Sequence, residues 1–181
     1  MTSQTTSHIT SRGPAPVERS TGAPVVVLGI GNTIMADDGI GLALLEQVQA
    51  QAPASPLVDF VDGRTGGMEL LPVVQDARYL LVLDAVAGPV PGEVVSLSGD
   101  QVPRLLASKL SPHQVGLLDI LAAARLLGTE PERIDVVGVV PETVDLCLGM
   151  TEAASRGVEQ ATPIALAVLA ELVAAAEAVS A

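Results

Sequence analysis

The chain has 181 residues, 49% apolar and only 17% charged, with one tyrosine, one phenylalanine and no tryptophan; that is enough for one domain whose core is Val, Leu, Ile and Ala. A net charge of −12 argues against nucleic acid or an anionic membrane as partner. The single cysteine, Cys147, excludes a disulfide framework and a Cys-rich metal site, and the absence of a signal-peptide core or an apolar run of spanning length gives a cytoplasmic reading with no membrane segment.

Residues 1–22 are rich in Ser, Thr, Pro and Gly and have almost nothing to bury, so they read as a disordered tail. His8 lies in it and is discounted as a ligand. That leaves His113 as the one histidine of the folded part, residues 23–181, which reads as a single domain without internal repeats.

Pro24 to Ile30 is a short apolar, β-branched run, the pattern of a fully buried strand. The chain then turns on Gly29 and Gly31, passes a polar corner at Asn32 and Thr33, and reaches two adjacent carboxylates, Asp37 and Asp38. From Gly39 the period becomes helical, with Ile40, Leu44, Leu45 and Val48 on one face. Strand, glycine turn, acidic loop and helix make one half of a parallel α/β unit, whose ligand crevice opens at the carboxyl end of the strand. A dinucleotide fingerprint fits poorly: Ile34 stands where the third glycine belongs, and two carboxylates follow where a phosphate needs bare N–H groups. Carboxylates there suit a cation better.

After a turn at Pro53 to Pro56, Leu57 to Val61 reads as the second strand. It closes on Asp62-Gly-Arg-Thr-Gly-Gly67, where three glycines in six residues imply an unusual backbone path. A short helix follows near Met68 to Gln75. Tyr79 to Val86 is the third strand, almost wholly apolar and interrupted by Asp84 at its carboxyl end. A charge there needs a partner, a metal or the water of the crevice, because an unpaired buried carboxylate is costly. Glu93 to Leu97 reads as an edge or antiparallel strand, and Asp100 to Ala107 as a short helix. Pro112 disfavours helix before it, which puts His113 in a loop or in the first turn of a helix from Gln114 to Leu127, closed by Gly128. Ile134 to Val140 is the last strand, followed by Glu142, a weaker strand-end candidate than Asp84. The chain is helical from Thr151, with Pro163 expected to kink or split it and Ile164 to Val179 forming a long Ala/Leu helix. No base lies near Cys147 in sequence, which disfavours a catalytic thiol, and Ser111 with His113 does not suggest a triad.

Two aspartates and a neutral imidazole bring two negative charges to one divalent cation and leave positions open for water or substrate. Such a donor set suits Ni, Zn, Fe or Mn more than Ca. The residues alone point to a metal-contacting α/β protein, with a hydrolase as the suggested chemistry.

The segments Gly29-Ile-Gly-Asn-Thr-Ile-Met-Ala-Asp-Asp-Gly-Ile-Gly41, Asp62-Gly-Arg-Thr-Gly-Gly-Met-Glu-Leu-Leu71, Leu83-Asp-Ala85, Ser111-Pro-His-Gln-Val-Gly-Leu117 and Val137-Gly-Val-Val-Pro-Glu142 occur in this order. As an ordered set they resemble the maturation endopeptidases of NiFe-hydrogenases, over nearly everything from Val25 to the final helix. The resemblance implies a three-layer α/β sandwich with a twisted, mostly parallel five-stranded sheet flanked by helices. It also implies a peptidase, of aspartic type with metal-dependent recognition, whose partner is a hydrogenase large-subunit precursor. The carboxy-terminal peptide is removed after nickel insertion, and the nickel, held mainly by the substrate, is read by residues that fall on Asp38, Asp84 and His113. Asp37 leaves the first assignment ambiguous by one residue, and Arg64 stands where the family more often has a small residue. Rival readings are a flavodoxin-like binding module, a metal-dependent α/β hydrolase of other specificity, and a nickel-delivering metallochaperone.

Overall fold

The computed structural model describes residues 22–99 and 112–180, the side chains of 112–116 and 180 excepted. The tail before Gly22 and the helix expected at Asp100 to Ala107 lie outside the described residues. Among the described residues five strands form one sheet: β1 (Val25–Ile30), β2 (Val58–Arg64), β3 (Tyr79–Ala85), β4 (Val94–Ser98) and β5 (Arg133–Val139). Their order is β2-β1-β3-β5-β4; β4 alone runs antiparallel, at the edge beside β5. The helices are α1 (Ile40–Gln51), α2 (Leu71–Asp76), α3 (Pro112–Leu127) and α4 (Glu152–Ser180).

Side chains alternate across each strand, and this sorts the core into two layers. Val25, Val27, Leu81, Leu83, Val137 and Val139 face α1 and α4, which supply Ile40, Leu44, Val48, Val158, Leu169 and Leu172. Val26, Leu28, Leu80, Val82 and Val136 face α2 and α3, which supply Val73, Val74, Leu117, Ile120 and Ala124. Both central strands, β1 and β3, are buried at every position, as parallel strands covered on both faces must be.

Three boundaries depart from the sequence reading. β2 runs on through Asp62, Gly63 and Arg64, because its carboxyl end pairs with β1 through a register shift between Gly29 and Ile30. α3 is described from Pro112, a residue suited to the start of a helix because its missing N–H is not needed there; His113 is therefore in the first described turn. α4 is one helix despite Pro163. That proline is exposed, as is Glu159 four residues before it, so water can reach the carbonyl that the proline leaves unbonded. By length and composition Glu152–Val179 is also apolar enough to cross a membrane, which the sequence reading did not expect. Its stripe of Ala154, Val158, Ala161, Ala165, Leu169, Leu172 and Ala176 is packed into the sheet core.

At the far end of β5, Asp135 is buried against Arg133, which donates to both of its oxygens at 2.8 and 3.2 Å and also to Glu171 of α4 at 3.0 Å. The two carboxylates hold the Arg133 guanidinium charged, raising its pKa. This buried aspartate is a structural one.

Candidate active site

The β1–α1 connection is shaped by close backbone approaches. Gly31 has φ of +148°, and a Cβ there would overlap the Asp38 carbonyl. That carbonyl accepts the Asn32 N–H at 3.1 Å, while Gly31 N–H donates to the Arg64 carbonyl at 2.8 Å. A 3-10 turn, Ala36–Gly39, carries both aspartates into the interior. Gly41 lets α1 start directly against the carboxyl ends of β1 and β3, since a Cβ there would overlap the carbonyls of Ile30 and Leu83. The close helix–strand approach is thus made at Gly41, ten residues on from Gly31.

Asp37 and Asp38 are both buried, yet they face different tasks. Asp37 accepts the N–H of Glu142 at 2.9 Å, of Thr143 at 3.3 Å and of Thr151 at 2.7 Å, and the Thr151 hydroxyl at 2.9 Å. Thr151 in turn caps α4, its hydroxyl accepting the Ala154 N–H at 3.2 Å. Asp37 therefore ties the loop between β5 and α4 to the 3-10 turn, beside a helix N-terminus that favours negative charge. Its acceptor capacity is spent on structure.

Asp84 is 2% exposed at the end of β3. Its parity is that of Leu80 and Val82, so its carboxylate lies on the α2/α3 face. Oδ1 accepts the Ala85 N–H at 2.8 Å, and Oδ2 has no hydrogen-bond partner among the described residues. Burial drives its pKa well up; the Ala85 N–H opposes this, and the nearby negative charge of Asp38 adds to it. Asp84 and Asp38 are thus electrostatic neighbours at the carboxyl end of the sheet. The first turn of α3, with His113, is at the same end, because α3 runs back across the sheet to enter parallel β5. The His113 side chain lies outside the described residues. Among the described residues no group of three or more His, Cys, Asp or Glu could hold a metal ion. Two carboxylates, one with a buried unpartnered oxygen, nonetheless fit a divalent cation if a third donor joins them.

The remaining candidates separate from this centre. Glu142 is exposed and contributes its backbone N–H to Asp37. Arg64 is exposed with φ of +49°; its N–H donates to the Asp62 carboxylate at 3.1 Å, which supports the left-handed backbone without a glycine. The unusual path expected between Asp62 and Gly67 is real, but arginine makes its left-handed step. The structural role of Asp37 had no sequence signal, since its partners are 105 to 114 residues away.

A family model described as the hydrogenase maturation protease HycI matches residues 40–168. The chain is also 36% identical over 149 residues to the hydrogenase 2 maturation protease of Escherichia coli K12, covering 81% of this chain and 91% of that protein. The chain belongs to the hydrogenase maturation protease family. Another relative, the hydrogenase expression/formation protein HupD of Rhodobacter capsulatus, is 42% identical over 120 residues, 65% of this chain and 57% of that one. Among solved structures, the hydrogenase maturating endopeptidase HybD from E. coli superposes with a TM-score of 0.77 at 36% identity, covering 81% of this chain and 92% of that chain. The NiFe-hydrogenase maturation protease HybD from Thermococcus kodakarensis gives 0.64 at 26% identity, with coverages of 80% and 97%. The family model begins at Ile40, directly after the turn that carries Asp37 and Asp38.

Proposed function

We propose that this protein is an endopeptidase that removes the carboxy-terminal peptide of a NiFe-hydrogenase large-subunit precursor, in the cytoplasm, once nickel has been inserted. Nickel arrives as part of the substrate and is read by Asp38, Asp84 and His113. The observation that carries this reading is the buried Asp84 carboxylate, which lies beside the charge of Asp38 and whose Oδ2 has no hydrogen-bond partner among the described residues.

Burial and the neighbouring acid favour the protonated form of Asp84. A divalent cation reverses that preference, because two carboxylates then balance its charge in a water-poor site. A nickel-free precursor offers no such compensation, so the site distinguishes the two forms by charge. Hydrolysis adds one water across the scissile amide, giving a new carboxy terminus on the large subunit and a short free peptide. In this account Asp38 is the ligand of the acidic pair, because Asp37 is committed to loop amides.

Asp38→Asn is expected to lose processing by roughly 10²- to 10³-fold, the scale of removing one electrostatic contact from a site, and His113→Ala to weaken it severely. The rate of peptide release from a nickel-loaded precursor measures both. Normal processing by both variants and by Asp84→Asn contradicts the site, and metal transfer with no change in precursor length would favour a metallochaperone. Cys147→Ser is expected to process within about twofold of wild type, as exposed substitutions usually do; the thiol is exposed and lies against the Leu148 carbonyl at 3.6 Å. A Cys147→Ser protein without activity would make the thiol the nucleophile.

A further inference from the structure

Beside the buried carboxylates the surface changes character. In the loop between β5 and α4, Val144, Leu146 and Leu148 are exposed, Leu146 by 77% and Leu148 by 80%. Ile34, half exposed on the β1–α1 turn, is joined to them through the backbone. Cys147 N–H donates to the Ile34 carbonyl at 3.1 Å, Ala36 N–H donates to the Cys147 carbonyl at 2.8 Å, and Met35 and Cys147 form a parallel bridge.

Single exposed apolar residues need no explanation, but a group on one braced backbone marks an interaction surface. This backbone is braced at both ends: Asp37 accepts the N–H groups of Glu142, Thr143 and Thr151, and its own N–H donates to the Thr143 carbonyl at 3.2 Å. Ile34 stands four residues before Asp38 on the same β1–α1 connection, which sets the apolar residues close in the chain to the candidate active site.

Charge indicates the occupant. The ionic side chains of the loop are Glu142 and Asp145, both exposed, and residues 140–151 include no Lys or Arg. A second copy of this chain, meeting this surface about a twofold axis, would set these acids against themselves and add repulsion between two bodies of charge −12. A partner that fits presents apolar side chains bordered by Lys or Arg. We infer that Ile34, Val144, Leu146 and Leu148 form a docking ledge for the precursor, seating an apolar, basic-flanked segment of the large subunit next to the carboxylates. This rests on the proposed function and supplies the surface that holds the protein substrate while its nickel is read.

The test compares wild type with Leu146→Ser/Leu148→Ser, as full chains, on nickel-loaded precursor. Both leucines are exposed, so the variant keeps its fold. KM is expected to rise at least about tenfold, the scale of losing one interface hot spot, with kcat within about twofold. Added salt is expected to raise the wild-type KM. Wild-type processing with an unchanged KM in the variant overturns the ledge alone. If wild type leaves the precursor uncut, the proposed function fails instead; binding by sedimentation then judges the ledge, and equal capture by wild type and variant overturns it. A wild-type dimer that the variant converts to monomer overturns the precursor as occupant in favour of a second copy.

Discussion

Asp84→Asn is expected to give a folded protein that no longer shortens its substrate, with processing down by roughly 10²- to 10³-fold. The asparagine keeps the shape and can keep the acceptor for the Ala85 N–H, which Oδ1 now bonds at 2.8 Å. It removes the negative charge that a cation needs. Stability should move the other way from activity. The folded protein holds the Asp84 carboxyl well above its unfolded value of 3.8, so the native state binds the proton more tightly than the unfolded chain does. Its contribution is therefore fully present below about pH 3.8 and is lost progressively as pH rises through the folded value. Asparagine has no such loss. Urea unfolding across a pH series should show the variant gaining on wild type from about pH 4 upward, with the difference levelling off once the wild-type carboxyl has ionised in the folded state. A variant that processes normally removes Asp84 from the site. A variant of normal stability profile contradicts the burial account.

Asp37→Ala is expected to have the largest effect on stability, a loss of about 3 kcal/mol, because it strands several buried donors at once. The N–H groups of Glu142, Thr143 and Thr151 and the Thr151 hydroxyl all converge on this carboxylate. Losing it frees the start of α4 as well as the loop, since Thr151 is the helix cap. Asp37→Asn should lose somewhat less, about 2 kcal/mol, because one amide oxygen remains to accept while the NH₂ group faces donors. Asp38→Asn, measured in the same urea series, should unfold closer to the wild-type midpoint than either Asp37 variant and yet fail in processing. The reverse pattern, a stable inactive Asp37 variant beside an active Asp38 variant, would move the ligand assignment by one residue.

What the sequence made legible follows from where each signal is stored. β1 and β3 were readable because both faces are buried and every position is apolar. Asp84 stood out because a charge inside such a run has to be explained. The edge strand β4 and the start of α1 followed from local pattern. β2 was read three residues short, because its polar end at Asp62 to Arg64 is exposed and its strand character comes from pairing with β1. The division of labour between Asp37 and Asp38 was hidden for a similar reason: it is written in amide groups more than 100 residues away. Pro163 does not split α4, because it faces water. The strand order is likewise set by crossovers that no single segment specifies.

The most direct test of the central claim is the intact mass of a hydrogenase large-subunit precursor, nickel-loaded and nickel-free, before and after incubation with this protein. The account predicts loss of a short carboxy-terminal peptide from the loaded form alone. Equal shortening of both forms would contradict recognition through substrate nickel, and no shortening of either, with the cognate precursor, would contradict the peptidase assignment itself.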